Sequence, residues 1–161
     1  MPPTAETVPS APSASAGDAT PLSDVVIVQA ARRIIAAAGV DGLTMRRLSA
    51  ELGVALGATY HHVPNKDALV KLVVSDIFGE LEFPPPSVGD WATRIKIMIA
   101  TTAQAIGEYP GMAAYVIAHV DALFPAELNR ELSTLLKGAG FSDQSTGVVL
   151  GALYVYGTGI S

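Results

Sequence analysis

The segment Leu43–Val63, LTMRRLSAELGVALGATYHHV, restricts this chain more than any other. It reads as two short helices joined by a tight turn at Gly53. Leu48 and Leu52 lie four apart and share one face of the first helix. Gly53 supplies the left-handed conformation that ends that helix, and Val54 is the apolar plug of the turn. The second helix opens with small residues and closes on Tyr60, His61 and His62. A slim start and a polar, aromatic end suit a groove bordered by phosphates. The pattern is a helix-turn-helix, and the partner it predicts is double-stranded DNA.

The rest of the chain is the context for that segment. Its 161 residues allow one ordinary domain, or a small domain with an accessory one. Half the residues are hydrophobic, enough for a core. There is no cysteine, which excludes disulfides, thiolate metal sites and cysteine nucleophiles. The net charge of −5 is unusual for a DNA binder, so the local balance matters more. Arg46, Arg47, Lys66 and Lys71 flank the two short helices against Asp41, Glu51 and Asp67, with Arg32 and Arg33 just upstream. That mild excess predicts moderate affinity for one copy and suits a dimer.

No stretch approaches the roughly 18 uninterrupted apolar residues of a membrane helix, so no membrane partner is expected. Met1–Thr20 has neither a basic start nor an apolar run, and does not read as a secretory signal. Residues 1–21 read as a flexible tail, too polar and proline-rich to pack. A cytoplasmic location is the resulting expectation.

Helical spacing recurs along the remainder. Ser23 or Asp24 caps a first helix reaching about Ala38, with Gly39 ending it. Thr44 caps the second helix, which runs to about Leu52. The third spans about Ala55 to His62, and Asn65 caps a fourth with an apolar stripe of Leu69, Leu72, Val73, Ile77 and Leu81. Phe83-Pro84-Pro85-Pro86 is a stiff break and the predicted domain boundary. Beyond it, helices are predicted from Trp91 to about Gly107, Met112 to Leu123, Pro125 to Lys137, and Ser142 into Gly157. Trp91, Ile95, Met98, Ile99, Thr102 and Ile106 should share one side of the first of these. No strand alternation or repeat is visible, and the predicted fold class is all-α.

Four blocks of residues carry a family resemblance: Ala30-Ala31-Arg32 through Ala36–Gly39, Leu43-Thr44-Met45-Arg46, Leu52-Gly53-Val54, and Tyr60 through Leu69. In order and spacing, residues 23 to 82 resemble the TetR family of bacterial transcriptional regulators. His62-Val63 before Asn65-Lys66 is similar to the tetracycline repressor's own branch. The resemblance implies a three-helix DNA-binding head, a linking fourth helix, and a helical body that binds a small-molecule effector and forms a homodimer. The implied division is 22–82 for the head, with its motif at 44–63, and 83–161 for the body. Relatives usually continue for one or two more helices, so a truncated body or an unusually short member is expected.

Roles carry over position by position. Thr44 is expected against a phosphate, and Arg46 at a base edge, where guanine is the natural partner. Arg47 joins this basic face. Leu56, Gly57 and Ala58 form the groove-facing start of the recognition helix. Tyr60, His61, His62 and Lys66 match positions that grip the backbone. Leu56 stands where some relatives have a polar base reader, implying apolar contact such as with a thymine methyl. Thr59 replaces a usually apolar core residue, with a looser head as the expectation.

Other chemistries find little support. Neighbouring His61 and His62 point about 100° apart on a helix and have no second ligand cluster, so no metal or other cofactor is expected. Ser49, Asp67 and His61 do not make a hydrolase triad, and no nucleophile elbow, P-loop or dinucleotide fingerprint occurs. An enzyme is not expected. In the body, Trp91, Met98, Thr102, Tyr115, His119, Asp121 and Tyr154 are candidates to line an effector pocket, with plain core as the competing reading. Gly147–Tyr156 is apolar nearly all round, which predicts burial on several sides and a dimer contact. The sequence thus predicts a ligand-responsive repressor released from a palindromic operator. The alternative is a helical ligand-binding or interaction protein with a degenerate DNA-binding head.

Overall fold

The structure is a computed structural model describing residues 22–85, 87–119 and 126–159. The tail 1–21, Asp121 and Pro125 lie outside the described residues, as does the Tyr154 side chain. Eight helices and no strand occur among the described residues. They are α1 (Asp24–Gly42), α2 (Met45–Leu52), α3 (Leu56–His62), α4 (Lys66–Gly79), α5 (Trp91–Gly107), α6 (Met112–Ala118), α7 (Ala126–Gly138) and α8 (Asp143–Gly159).

Short-range chemistry explains most boundaries. Side-chain oxygens of Ser23, Thr44, Asn65 and Asp90 accept backbone N–H bonds from Val26, Arg47, Ala68 and Thr93 at the starts of α1, α2, α4 and α5. Ser142 does the same for Ser145 at the start of α8. Gly53, with φ 65° and ψ 28°, terminates α2, and Val54 N–H closes the turn on Ser49 O at 3.0 Å. Gly39 departs from helical geometry as expected, yet one further turn continues to Gly42.

Two apolar cores organise the described residues. The first joins Ile27, Ala31, Ile34 and Ile35 of α1 with Leu48 of α2, Val63, and Leu69, Val70, Val73, Val74 and Ile77 of α4. Tyr109 and Met112, from the α5–α6 turn and the start of α6, complete it. The second joins Ile95 and Met98 of α5 with Leu128, Leu132, Leu135 and Leu136 of α7, and α8 adds Val149 and Leu150. Phe78 packs against both.

Three expected faces differ in detail. On α4 the buried stripe is Leu69, Val70, Val73, Val74 and Ile77, while Leu72 is 41% exposed because it lies off that stripe. On α5, Ile95 and Met98 are buried, whereas Trp91 and Ile99 are exposed. On α8, Val149 and Leu150 pack against the second core. Gly147, Val148, Gly151 and Ala152 face solvent, with Val148 68% exposed, so among the described residues of that segment one side is not buried within one chain; the side chains of 153–156 lie outside the described residues.

Candidate nucleic-acid interface

The head motif is a packed scaffold with one exposed rim. Leu48 and Thr59 are fully buried, Val63 is nearly so, and Met45 and Ser49 are buried with them. The Ser49 hydroxyl donates to Arg46 O at 2.9 Å and the Thr59 hydroxyl to Leu56 O at 2.7 Å. Both buried hydroxyls are therefore satisfied within their own helices, which removes the penalty of an unpaired polar group. Thr59 therefore sits in the core with its hydroxyl bonded.

The predicted contact residues gather along the opposite side of that scaffold. Thr44, Arg46, Arg47, Leu56, Gly57, Tyr60, His61 and His62 are exposed, and Ala58 and Lys66 are partly exposed. A Cβ at Gly57 would meet nothing within 4 Å, so α3 starts with bare backbone beside the exposed Leu56. Besides the Thr44 cap, three of these side chains also touch the head itself. Arg47 Nη1 reaches Gly42 O and Lys66 Nζ reaches Asp41 O, both at 3.5 Å. His62 Nδ1 lies 3.0 Å from Asp24 Oδ1, which ties the end of α3 to the start of α1.

Charge on this side is sparser than the sequence suggests. Arg33 pairs with Glu51 at 3.2 Å and Lys71 with Asp67 at 2.8 Å. Arg32 is half-buried and bonded to Asp76, Glu80 and Tyr109, where it adds nothing to the exposed rim. The Arg32 guanidinium holds the Glu80 carboxyl below its ordinary range, while its own pKa is raised, chiefly by Glu80.

Among the described residues, the body candidates do not converge on one pocket. Trp91 borders an open groove of about 700 Å³ lined by Phe83, Pro84, Arg94, Thr134 and Leu135. Met98 is plain core, and Thr102 is half-buried on α5. Tyr115 and His119 instead meet α4. The Tyr115 hydroxyl donates to Asp67 Oδ1, and the His119 ring stacks on Tyr115 at 4.2 Å with its Nδ1–H donating to Tyr115 O at 2.9 Å. His119 Nε2 is 3.8 Å from Asp67 Oδ1. Lys71, and then Tyr115, hold the Asp67 carboxyl below its ordinary range, while burial and Asp67 push the Tyr115 phenol up. These residues work as a contact between head and body. Among the described residues, no group of three or more His, Asp or Glu is arranged to hold a metal ion.

The sequence gives no sign of the contacts that Arg32 makes with Asp76, Glu80 and Tyr109, or that Asp67 makes with Tyr115. Arg32 and Glu80 are 48 apart, as are Asp67 and Tyr115, and no local pattern marks such pairs.

Comparison with known proteins agrees with this geometry. A family model described as bacterial regulatory proteins of the tetR family matches residues 27–73. The HTH-type transcriptional repressor DrrR1 of Streptomyces coeruleorubidus is 34% identical over 86 residues, covering 52% of this chain and 32% of that protein. The matches to such curated relatives span only about a third of their length. The solved structure of the Streptomyces coelicolor TetR family protein ActR, in complex with (S)-DNPA, aligns with a TM-score of 0.76 at 31% identity. That alignment covers 86% of this chain and 69% of ActR. BioQ bound to its double-stranded DNA operator aligns with a TM-score of 0.69 at 26% identity, covering 85% of each chain.

Proposed function

The chain belongs to the TetR family of bacterial transcriptional regulators, and from that premise we propose that it is a ligand-responsive, DNA-binding repressor. In this reading residues 22–82 form the operator-reading head, and 83–161 the effector-binding and dimerising body. The observation that carries it is the rim of Thr44, Arg46, Arg47, Leu56, Gly57, Tyr60, His61 and His62, exposed on a scaffold in which Met45, Leu48, Thr59 and Val63 are buried. Arg46 would read a base edge, and Thr44, Arg47, Tyr60, His61, His62 and Lys66 would hold phosphates. The satisfied Thr59 hydroxyl favours an intact head over a degenerate one. The likeness to ActR and BioQ, solved with a small molecule and with an operator respectively, supports a body that takes an effector and a head that takes DNA. Trp91, beside the groove, is the body candidate best placed for effector contact. The role is regulatory and not catalytic, and its place is the cytoplasm. No described helix is long and apolar enough to cross a membrane.

The test is specific, salt-dependent binding to a palindrome with the recognition helices about 34–36 Å apart. Arg46→Ala should weaken binding by about 1–3 kcal/mol and relax preference at one base pair. Lys66→Ala should weaken all sequences alike and flatten the salt slope by about one unit. Equal, sequence-blind losses for both variants would remove Arg46 from base readout.

Two copies are needed because one rim carries few free basic groups. The solvent-facing strip of Gly147, Val148, Gly151 and Ala152 on α8 is the proposed dimer surface. A Cβ at Gly151 would meet nothing within 4 Å, so Gly151→Leu should leave the single chain folded. It should lower dimer formation and operator affinity together. Sedimentation of both proteins decides this, and a tight dimer indifferent to the substitution places the interface elsewhere.

A further inference from the structure

Arg32 joins three parts of the molecule with one side chain. It sits on α1, 17% exposed. Its Nη1 donates to Asp76 Oδ2 at 2.7 Å and Glu80 Oε1 at 2.6 Å, and its Nη2 to Glu80 Oε2 at 2.8 Å. Its Nε donates to the Tyr109 hydroxyl at 2.9 Å, and the guanidinium lies 5.7 Å from the centre of the Tyr109 ring. Asp76 belongs to α4, Glu80 follows its last turn, and Tyr109 lies in the turn between α5 and α6. A guanidinium has five N–H donors and can make all four bonds at once, whereas an ammonium has three.

The same body turn is held at a second point of α1. Val40 N–H donates to Pro110 O at 2.9 Å, two turns of chain beyond Arg32. Together with Tyr109 and Met112 in the first core and the Tyr115–Asp67 contact, these two points on α1 leave the turn little freedom against the head. The first core makes α1, α2, Val63 and α4 one body, so whatever fixes α1 against the Tyr109–Pro110 turn also fixes α3. Small rotations matter here. About 10° at the turn moves a point about 20 Å away by about 3.5 Å, close to the rise of one base pair.

We propose that Arg32 is a positioning residue, which sets the angle of the head against the body and thereby the spacing at which two heads meet DNA. The DNA consequence rests on the reading of the head as an operator reader, while the geometric consequence does not.

The test uses the full chain, which has no cysteine of its own. Ala50→Cys on α2 and Ala103→Cys on α5 are both exposed, and carry spin labels for a pulsed electron–electron distance measurement. Dilution with unlabelled chain suppresses distances between protomers. Arg32→Gln should broaden the head-to-body distance distribution by about a factor of two. Tyr109→Phe, which keeps the ring and loses only the hydroxyl, should broaden it less. Melting curves recorded in parallel show that the variants are folded. A role confined to stability would lower the melting temperature and leave the width alone. An unchanged width in folded Arg32→Gln overturns the proposal. Should that variant not fold, an unchanged width in Tyr109→Phe overturns it. On operators with half-sites moved by one base pair, discrimination on the order of tenfold should fall to within about twofold in Arg32→Gln. If the unsubstituted protein binds no palindrome, the operator reading falls, and the distance widths still decide the role of Arg32.

Discussion

Leu48→Ala is expected to destabilise the protein by about 2–5 kcal/mol. Leu48 is fully buried in α2, within the core that also holds Ile35, Leu43, Val63 and Leu69. Truncating it removes the transfer energy of its methyl groups and leaves a cavity that the neighbours only partly fill. Against a total stability of about 5–15 kcal/mol, that loss leaves the head marginal. The damage should also reach function. α2 is the support of α3, and the exposed rim is ordered only while the two helices stay packed. Operator affinity should therefore collapse in a variant that touches no DNA. Urea unfolding followed by circular dichroism measures the first effect, with the midpoint lowered and the slope unchanged. Leu48→Met should lose less than about 1.5 kcal/mol, since volume is nearly conserved. Equal losses for Met and Ala would show that the site does not discriminate by volume and is not close-packed.

The head was legible in the sequence because its instructions are local. Ser23, Thr44 and Asn65 each bond a backbone N–H three residues on, and Gly53 ends its helix with nothing but its own φ. A reader needs a window of four or five residues to see them. The exposed rim followed in turn, because a residue's side of a short, well-capped helix is set by its register. The body was less legible for the opposite reason. On α5, Trp91, Ile95, Met98 and Ile99 are all apolar, so periodicity does not say which of them face α7 and which face water. Tyr115 and His119 have the side chains of a pocket. What they meet is decided by Asp67, 48 residues before Tyr115.

Electrostatics shows the same limit. The sequence counts Arg32 and Arg33 as basic charge beside the motif, but partners distant in sequence neutralise both. Arg46, Arg47 and Lys66 are left as the basic side chains of the rim. Few phosphate contacts per copy mean a shallow salt dependence and weak binding by one head. In the proposed dimer, two heads at a fixed spacing would recover affinity, and the attachment of each head to its body would then be part of DNA recognition.

Gly39 is where that attachment is most exposed to a single substitution. Its φ of 72° with ψ of 172° lies in a region essentially closed to residues with a side chain. Its position is also crowded, since a Cβ there would stand 3.1 Å from Pro110 O. That carbonyl is the acceptor for Val40 N–H, so the chain at Gly39 must stay as it is for the bond to form. Gly39→Ala therefore combines backbone strain with the partial loss of a hydrogen bond between α1 and the body turn. Together they should destabilise by about 2–4 kcal/mol. Gly53 provides the control. It too has a positive φ, 65°, but with ψ of 28° it is ordinary left-handed helix, and a Cβ there would meet nothing within 4 Å. Gly53→Ala should cost only about 1–2 kcal/mol, from backbone strain alone. The two variants, unfolded in urea side by side, separate the effect of conformation from that of contact. Gly39→Ala should also lower operator affinity beyond what its unfolded fraction explains, because the Pro110 attachment orients the head. If Gly39→Ala proves no more costly than Gly53→Ala, the contact with Pro110 does not constrain the junction between head and body.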